Sequence, residues 1–393
     1  MEYVRIHKCR IQILIPFNTK YWKHLLDNDS VFPMNFIREY IILAAVSFTI
    51  AYLLSLLLMP VLIKLSKNLK WLDNPDHRKI HIEPVSRLGG IGIFVSLVVS
   101  FLVSPFFVSL LLKTKITLFE IIHPNLMLIV SFILIFTVGV LDDFVALRSK
   151  LKLLGQLLVA SGVYFSGVGI YNISIPFTDI SYSLSWWASL AVTFIWVIGI
   201  INAVNLIDGM DGLAATISYT AFSIYAVVFA FNGHSGLSLL CITVSGAILG
   251  YLFFNFPPAK LFMGDSGSMM LGFLLAVFPL MAEPESGNSL IMPVTLLMIP
   301  IMDVFFAIAR RIRKKVPFST PDMEHTHHKL LKLGLDERII LALVNTLILV
   351  SAVPVLIFYI LSDKAFLPVI IVWIITGIFF VVLHFVYHKK VVN

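Results

Sequence analysis

The chain has 393 residues, of which 59% are hydrophobic and only 13% charged, with a net charge of +7; its mean hydropathy is +0.95. These values exclude an ordinary soluble globular protein and indicate a membrane protein. The two cysteines, Cys9 and Cys241, do not indicate a disulfide framework. We therefore predict an all-α polytopic membrane protein.

Residues 1–33 differ from the rest of the chain, because they are mixed, polar and without a clear period. A start at Met34 would lead almost directly into the first apolar stretch. We interpret residues 1–33 as an atypical N-terminal tail, an extension or a wrongly chosen start, and assign no function to it. Residues 34–393 are predicted to form a single membrane-embedded domain.

Eleven apolar stretches are long enough to cross the hydrocarbon core of a bilayer, which is about 30 Å thick. They are 37–63, 88–112, 125–141, 152–171, 187–206, 213–231, 237–255, 268–283, 290–309, 339–360 and 367–387. No internal repeat is evident, so the repeat pattern of many transporters is missing.

The positions of Lys and Arg predict the orientation. Twenty of the 29 lie in loops on one side and three on the other, the rest being Arg38 and the N-terminal tail. Loops rich in Lys and Arg are cytoplasmic. We therefore expect the N-terminus outside and the C-terminus in the cytoplasm.

Five polar clusters fall on the predicted cytoplasmic face. They are DNPDHRKIHIEPVSRLGG (73–90), LDDFVALRSK (141–150), NLIDGMDG (205–212), KLFMGDSGS (260–268) and PDMEHTHHKLLKLG (321–334). A single acid at a helix end is usually a cap or a solvated residue. Five clusters on one face, with almost none opposite, indicate a functional site instead.

Asp142 and Asp143 are neighbours on a predicted helix. Adjacent helical residues point about 100° apart, so the two carboxylates should not share a proton and should have separate roles. One would face a reacting group or a metal, and the other would orient a basic side chain. The alternative is a helix-end acid pair balanced by Arg148 or Lys150.

In FMGDSGS, Gly264 and Gly267 bracket Asp265, which predicts a sharp turn and a close approach of the backbone to a metal or an anionic group. The alternative is a plain N-cap, in which Asp265 or a serine opens the next membrane helix.

Four polar side chains are spaced at steps of three in INAVNLIDGMDG: Asn202, Asn205, Asp208 and Asp211. On a helix such neighbours lie side by side, and their oxygens suit a hard cation such as Mg²⁺. The glycines beside the two acids predict that the helix breaks there. The alternative is that these side chains form polar contacts between neighbouring helices, and this is the role that we expect for Asn202.

Three histidines occur in EHTHHKL: His325, His327 and His328. His325 and His328 would share a helical face, but the spacing is not that of known zinc sites, so we favour binding of phosphate or sugar hydroxyls. Asp303 lies deep in a predicted span, and we expect it to pair with a cation from the cytoplasmic loops.

Acids suited to Mg²⁺, glycine-bracketed turns and basic loops at a cytoplasmic membrane surface suit phosphoryl transfer from a nucleotide to a lipid. The chain resembles the polyprenyl-phosphate N-acetylhexosamine-1-phosphate transferases, relatives of phospho-N-acetylmuramoyl-pentapeptide transferase, in six segments that occur in the family's order. They are RKIHIEPVSRLGG, LDD, NAVNLIDGMDGLA, FMGDSGS, IPIMDVFFAIARR and HTHHKLLKLG.

The resemblance implies a role for each matching position. Asp265 matches a Mg²⁺ ligand, and Asn205 matches a position that ligates the metal in the eukaryotic relatives; Mn²⁺ is the expected substitute for Mg²⁺. Asp211 matches a uracil contact, with Asp208 beside it in the nucleotide pocket. Asp142 matches the acid proposed to accept a proton from the lipid phosphate, and Asp143 its neighbour, which helps to hold the basic residues.

Two basic segments complete the implied site. His325, His327 and His328 match a loop over the sugar and diphosphate. Lys79, His81 and Arg87 occupy the basic first-loop motif, in which the phosphate-binding residue is left open.

The implied reaction transfers N-acetylhexosamine-1-phosphate, with GlcNAc the expected sugar, from a UDP-sugar to undecaprenyl phosphate and releases UMP. In bacteria such enzymes lie in the cytoplasmic membrane and start O-antigen, enterobacterial common antigen or teichoic-acid linkage units. No nucleic-acid partner is expected, and a homodimer is left open.

Two alternatives remain. HTHH and PVSRLGG favour the N-acetylhexosamine branch over the muramoyl-pentapeptide branch, whose members have three consecutive histidines and a Thr-Pro-Thr segment. An ion-coupled transporter is the alternative of a different class, but it predicts acids near mid-bilayer and polar residues on both faces.

Overall fold

The computed structural model describes residues 34–73, 84–113, 125–174, 180–282, 288–317, 324–361 and 366–392. Its helices in these ranges are α1 (Met34–Leu69), α2 (Gly89–Leu112), α3 (Leu126–Val145), α4 (Ser149–Phe165), α5 (Trp186–Ile207), α6 (Leu213–Phe231), α7 (Ser235–Asn255), α8 (Gly264–Ala282), α9 (Ile291–Leu296), α10 (Met298–Lys314), α11 (Thr326–Lys332), α12 (Glu337–Leu356) and α13 (Phe366–Tyr387). π-helical turns, Ile357–Leu361 and His388–Val392, follow α12 and α13. Two antiparallel hairpins pair β1 (Leu72–Asp73) with β2 (Val85–Ser86) and β3 (Asn172–Ser174) with β4 (Ser181–Ser183).

The predicted class of all-α polytopic membrane protein is confirmed. In the described ranges, nine helices are long and apolar enough to cross a membrane: α1, α2, α3, α5, α6, α7, α8, α12 and α13. The other two predicted spans are helical but differ from the prediction, so the count of eleven crossings stays a prediction.

The span predicted at 152–171 ends six residues early. Helix α4 stops at Phe165, and Gly167 takes a φ of +86° that a continuing α-helix does not allow. The chain then turns back towards α5, where the Ile170 amide donates to the Thr193 hydroxyl at 2.9 Å.

The span predicted at 290–309 is two helices. Helix α9 ends at Leu296, and α10 begins at Met298 with Pro300 in its first turn. A proline has no N–H to donate and its ring clashes with the carbonyl four residues earlier, so the first turn is the position in a helix that suits it best. Pro300 therefore favours the start of a new helix here, although Pro60, Pro105, Pro279 and Pro354 are accommodated inside α1, α2, α8 and α12.

Helix α8 lies at the centre of the bundle, where it packs against α2, α3 and α5. Every residue from Ser266 to Leu280 is buried. The first residues of α8 are therefore held in place by several helices, and they carry Asp265.

Small residues allow α1 and α7 to pack closely. Helix α1 buries residues four apart: Leu43, Ser47, Ala51, Ser55 and Met59. On α7, a Cβ at Gly246 or Gly250 would lie 2.5–2.6 Å from a backbone oxygen of α1. Such small-residue contacts are typical of membrane helix pairs.

Candidate active site

A cavity of about 1250 Å³ lies where the helix ends carrying the polar clusters meet. Its lining includes Arg87, Asp143, Asn205, Asp208, Asp211, Asp265 and His328. The structure thus confirms that the five clusters converge. Lys79 and His81 lie outside the described residues.

The first loop is joined to the FMGDSGS loop by backbone hydrogen bonds. The Phe262 amide donates to the Ser86 carbonyl at 2.7 Å, and the Gly89 and Gly90 amides donate to the carbonyls of Phe262 and Met263. Arg87 follows β2, faces the cavity and pairs with Asp73 at 2.7 Å.

Asp143 caps helix α8 from a neighbouring helix. Its carboxylate accepts hydrogen bonds from the backbone amides of Asp265 at 2.7 Å and Ser266 at 3.0 Å. Among the described residues, Asp143 is thus bound by backbone N–H groups, at a helix N-terminus where a negative charge is favoured. Its implied role in holding the basic residues stays a prediction.

The predicted sharp turn at Gly264 is confirmed, since its φ is +71°. A Cβ there would lie 2.6 Å from the Arg87 carbonyl oxygen and 2.7 Å from the Asp143 carboxylate. The backbone at Gly264 therefore approaches Arg87 and Asp143 of the same chain closely, where the sequence predicted a close approach to a metal or an anionic group. Gly267 packs against Gly90 and Met263, so it serves helix packing.

Lys152 links Asp142 to Asp265. Its Nζ atom lies 2.6 Å from Asp142 Oδ2 and 2.6 Å from Asp265 Oδ2. The other Asp142 oxygen accepts from the Leu147 amide at 2.8 Å. Asp142 and Asp143 thus have separate environments, as predicted, but the cation at Asp142 is Lys152 and not Arg148 or Lys150.

Sequence reasoning missed Lys152 as a site residue. It stands ten residues from Asp142 and 113 from Asp265, so no local motif joins the three. The only sequence signal is a lysine at the start of a membrane helix, which the positive-inside rule already explains.

The four polar residues spaced at steps of three, Asn202 to Asp211, do not all lie on one helix. Helix α5 ends at Ile207, so only Asn202 and Asn205 are helical. Asn202 donates to Gln156 of α4 at 2.9 Å, which confirms its interpretation as a contact between helices. Asn205 donates to the Ser268 hydroxyl of α8 at 2.9 Å.

Asp208 and Asp211 lie on the turn between α5 and α6, where the predicted break is confirmed. Asp211 accepts from the Ala259 amide at 2.8 Å. Burial raises the pKa of Asp208 well above its ordinary value, and the charges of Asp265, Asp143 and Asp211 act in the same direction. A protonated Asp208 can donate a hydrogen bond to a ligand.

The three histidines are arranged differently from the prediction. His325 precedes α11 in an extended conformation, so it does not share a helical face with His328. His328 lines the cavity. His327 is 2% exposed and lies behind the cavity, where its Nε2 atom would be 3.0 Å from a Cβ at Gly209.

Asp303 accepts hydrogen bonds from Thr326, where we expected a cation. The Thr326 amide lies 3.0 and 3.2 Å from its two oxygens, and the Thr326 hydroxyl also donates to it. The charges of Lys329 and Arg310 also act on Asp303 and stabilise its ionised form. A buried acid can be satisfied by neutral donors as well as by a cation.

The donor set around Lys152 fits a hard cation. An ammonium already lies between Asp142 and Asp265, and Asn205 is near enough to Asp265 to act on its carboxylate. Among the described residues, no three His, Cys, Asp or Glu side chains form a metal cage. Mg²⁺ is usually held by one or two carboxylates together with substrate phosphates, so a cage is not required.

Three further cations line the cavity: Lys67, Lys260 and Arg338. Arg338, near the start of α12, donates to the Pro257 carbonyl at 3.2 Å. The sequence places Lys260 in the KLFMGDSGS cluster, and Lys67 and Arg338 only in the basic loops that predict the orientation. A cavity with both acids and cations suits a ligand that carries phosphates and neutral polar groups.

The chain is similar in sequence to known proteins of one family. The sequence model described as Glycosyl transferase family 4 matches residues 125–283. A probable undecaprenyl-phosphate N-acetylglucosaminyl 1-phosphate transferase of Bacillus subtilis is 33% identical over 320 residues, 80% of this chain and 86% of the relative. A phospho-N-acetylmuramoyl-pentapeptide-transferase of Bacillus anthracis is 32% identical over 315 residues, 74% of this chain and 89% of the relative.

Described residues of five of the segments that suggested the family line this cavity: Arg87, Asp143, Asp208, Asp265 and His328. The chain belongs to glycosyl transferase family 4, as a member of the polyprenyl-phosphate N-acetylhexosamine-1-phosphate transferases.

Proposed function

We propose that the protein transfers N-acetylhexosamine-1-phosphate, with GlcNAc as the sugar, from a UDP-sugar to undecaprenyl phosphate and releases UMP. The main support is the cavity of about 1250 Å³, which gathers the family's acidic and basic positions at one end of a membrane helix bundle. The Bacillus subtilis relative carries the matching name. The reaction would be the first membrane step of a cell-envelope polysaccharide.

In the proposed reaction, an oxygen of the lipid phosphate attacks the sugar-bearing β-phosphorus of the UDP-sugar. The bond from that phosphorus to the bridging oxygen breaks, and UMP leaves with the electron pair. When bound, Mg²⁺ (or Mn²⁺) supplies charge neutralisation on the diphosphate. Asp265 and Asn205 would hold it.

Lys152 is proposed to neutralise charge on the transferred phosphoryl group. Its ammonium lies between Asp142 and Asp265, and both carboxylates hold it in place. The lipid phosphate is already largely ionised at neutral pH, since the second pKa of a phosphate monoester is near 6. Asp142 therefore serves by orienting Lys152 more than by removing a proton.

The remaining residues bind the donor. Asp208 and Asp211 are proposed to contact the uridine. Arg87 and His328 face the same cavity and suit the diphosphate and sugar. The transporter alternative fits less well, because the acids that line the cavity gather at one end of the bundle.

The test uses purified full-length protein, undecaprenyl phosphate and UDP-GlcNAc, with UMP release measured in Mg²⁺, in Mn²⁺ and after chelation. Parallel reactions contain UDP-GalNAc or UDP-MurNAc-pentapeptide. We expect metal-dependent UMP with UDP-GlcNAc. UMP from the pentapeptide donor alone would favour the other branch, and no UMP from any donor would refute the proposal.

A further inference from the structure

Helix α11 is held at both ends by helices that do not line the cavity. At its start, Asp303 of α10 accepts from the backbone amide and hydroxyl of Thr326. Near its end, Lys332 donates to the Tyr387 hydroxyl of α13 at 3.3 Å. The His-bearing segment is therefore fixed in place from outside the site.

The contact at the start of α11 is deeply buried. Asp303 is 5% exposed and Thr326 is 4% exposed. A buried carboxylate costs free energy unless donors satisfy it, so the acid strongly favours the one position of Thr326 that supplies two donors. Asp303 thus fixes the chain at the residue immediately before His327.

His327 has no hydrogen bond of its own to fix it. Among the described residues, neither of its ring nitrogens has a hydrogen-bond partner, although the ring is buried. The ring instead packs against Gly209, which lies between Asp208 and Met210 on the turn that lines the cavity. Its position therefore depends on contacts made by neighbouring residues.

These contacts form a series that links α10 to the cavity. Asp303 binds Thr326, Thr326 is followed by His327, and the His327 ring packs against the turn at Gly209. His328, next along α11, faces the cavity. We propose that Asp303 is a positioning residue, which holds the histidine segment against the nucleotide-binding turn without touching substrate. This proposal rests on the proposed function in one respect, namely that the turn carrying Asp208 and Asp211 binds the nucleotide.

The first experiment measures the position of His327 without using activity. Diethyl pyrocarbonate modifies accessible neutral imidazoles, and mass spectrometry of the peptide containing residues 324–332 gives the rate at His327. In Asp303→Asn and Thr326→Val, we expect this rate to rise about tenfold, because hydrogen bonds to a charged group are lost and local opening becomes easier.

Two variants serve as controls. Thr326→Ser keeps the hydroxyl and should label like the unmodified protein. Glu324→Gln removes a carboxylate of the same segment, which contacts the exposed Lys314 at 3.0 Å and the part-buried Arg310 at 3.9 Å, both of helix α10. Ion pairs that solvent reaches contribute little, and the pair with Arg310 is long, so labelling of this variant should also stay unchanged. Equal labelling of Glu324→Gln and Asp303→Asn would overturn the proposal.

The second experiment separates positioning from folding. A fall in folded protein lowers the apparent kcat but leaves KM unchanged. A displaced histidine segment should instead raise KM for UDP-GlcNAc about tenfold in Asp303→Asn, with Thr326→Ser near the unmodified value. Unchanged KM together with unchanged labelling would refute the proposal. If the unmodified protein releases no UMP, the proposed function fails, and the labelling still decides the role of Asp303.

Discussion

At the scale of single residues, Lys152 is strongly constrained beside the cavity-lining Asp265. Two carboxylates from different helices, on Asp142 and Asp265, each lie 2.6 Å from its ammonium. Contacts this short between full charges are stronger than neutral hydrogen bonds. The side chain is thereby held in one position, as a group that acts on a phosphoryl transfer must be.

Lys152→Met should lower kcat for UMP release about 100- to 1000-fold, the usual effect of removing one charge-stabilising donor from an active site. The measurement is UMP release at saturating donor, with thermal unfolding as a check on folding. Lys150→Met is the matched control, because Lys150 is exposed on the same helix. A kcat within about threefold of the unmodified protein would exclude a role for Lys152 in transition-state stabilisation.

The buried His327 predicts how stability depends on pH. Burial, together with His328 and His325, holds its pKa well below the ordinary 6.5. The unfolded chain therefore takes up a proton as the pH falls through 6.5, and the folded chain does not. Stability is complete above that pH and falls below it, by up to about 1.4 kcal/mol per pH unit from this residue.

His327→Gln removes this contribution. Thermal unfolding at pH of about 8 and about 5.5 should show a smaller loss of stability in acid for the variant than for the unmodified protein. Parallel losses in the two proteins would mean that His327 titrates normally in the folded state.

At the scale of elements, the loops of the site are fixed by contacts between helices. Asp143 of α3 caps α8. Asn255 at the end of α7 accepts from the Gly212 amide and donates to the Leu261 carbonyl. The Asp143 cap and the Asn255–Gly212 contact join segments 122 and 43 residues apart, so they form only when the helices pack.

Gly264→Ala should destabilise the start of α8. Its φ of +71° is strained for alanine, and the new Cβ would lie 2.6 Å from the Arg87 carbonyl oxygen. We expect a loss of at least about 2 kcal/mol, seen as a lower unfolding temperature and loss of UMP release.

Gly199→Ala is the matched control for this change. Gly199 is within α5, and a Cβ there has no neighbour within 4 Å among the described residues. Alanine favours a helix over glycine by about 1 kcal/mol, so this variant should be as stable as the unmodified protein or more so. Equal effects of the two substitutions would show that the turn at Gly264 is not constrained.

Sequence reasoning found the helices because apolar stretches and glycine breaks are local signals. It identified the turn at Gly264 and the break after Ile207 for the same reason. It could not find the Lys152 contacts, the Asp143 cap or the Thr326 donors to Asp303, since each depends on how distant helices pack. It overextended α4 because hydrophobicity continues past Gly167, where only the backbone conformation ends the helix.

At the scale of the whole molecule, the positive-inside rule predicts that the cavity faces the cytoplasm. Two exposed lysines at opposite ends of the bundle provide the test, Lys150 at the predicted inner side and Lys113 at the outer side. In a background with Cys9 and Cys241 replaced by Ser, a membrane-impermeant thiol reagent on intact cells should label Lys113→Cys and leave Lys150→Cys unlabelled. The reverse pattern would invert the predicted orientation.

The cavity draws its walls from segments between Ile63 and Arg338, well beyond residues 125–283 that match the family model. During synthesis, the acids from Asp142 to Asp265 emerge long before His328 and Arg338. A nascent chain that has not reached the last part of its sequence therefore has the acidic side of the site without the wall formed by α11 and the start of α12. A complete cavity therefore has to wait until the chain has been synthesised as far as Arg338.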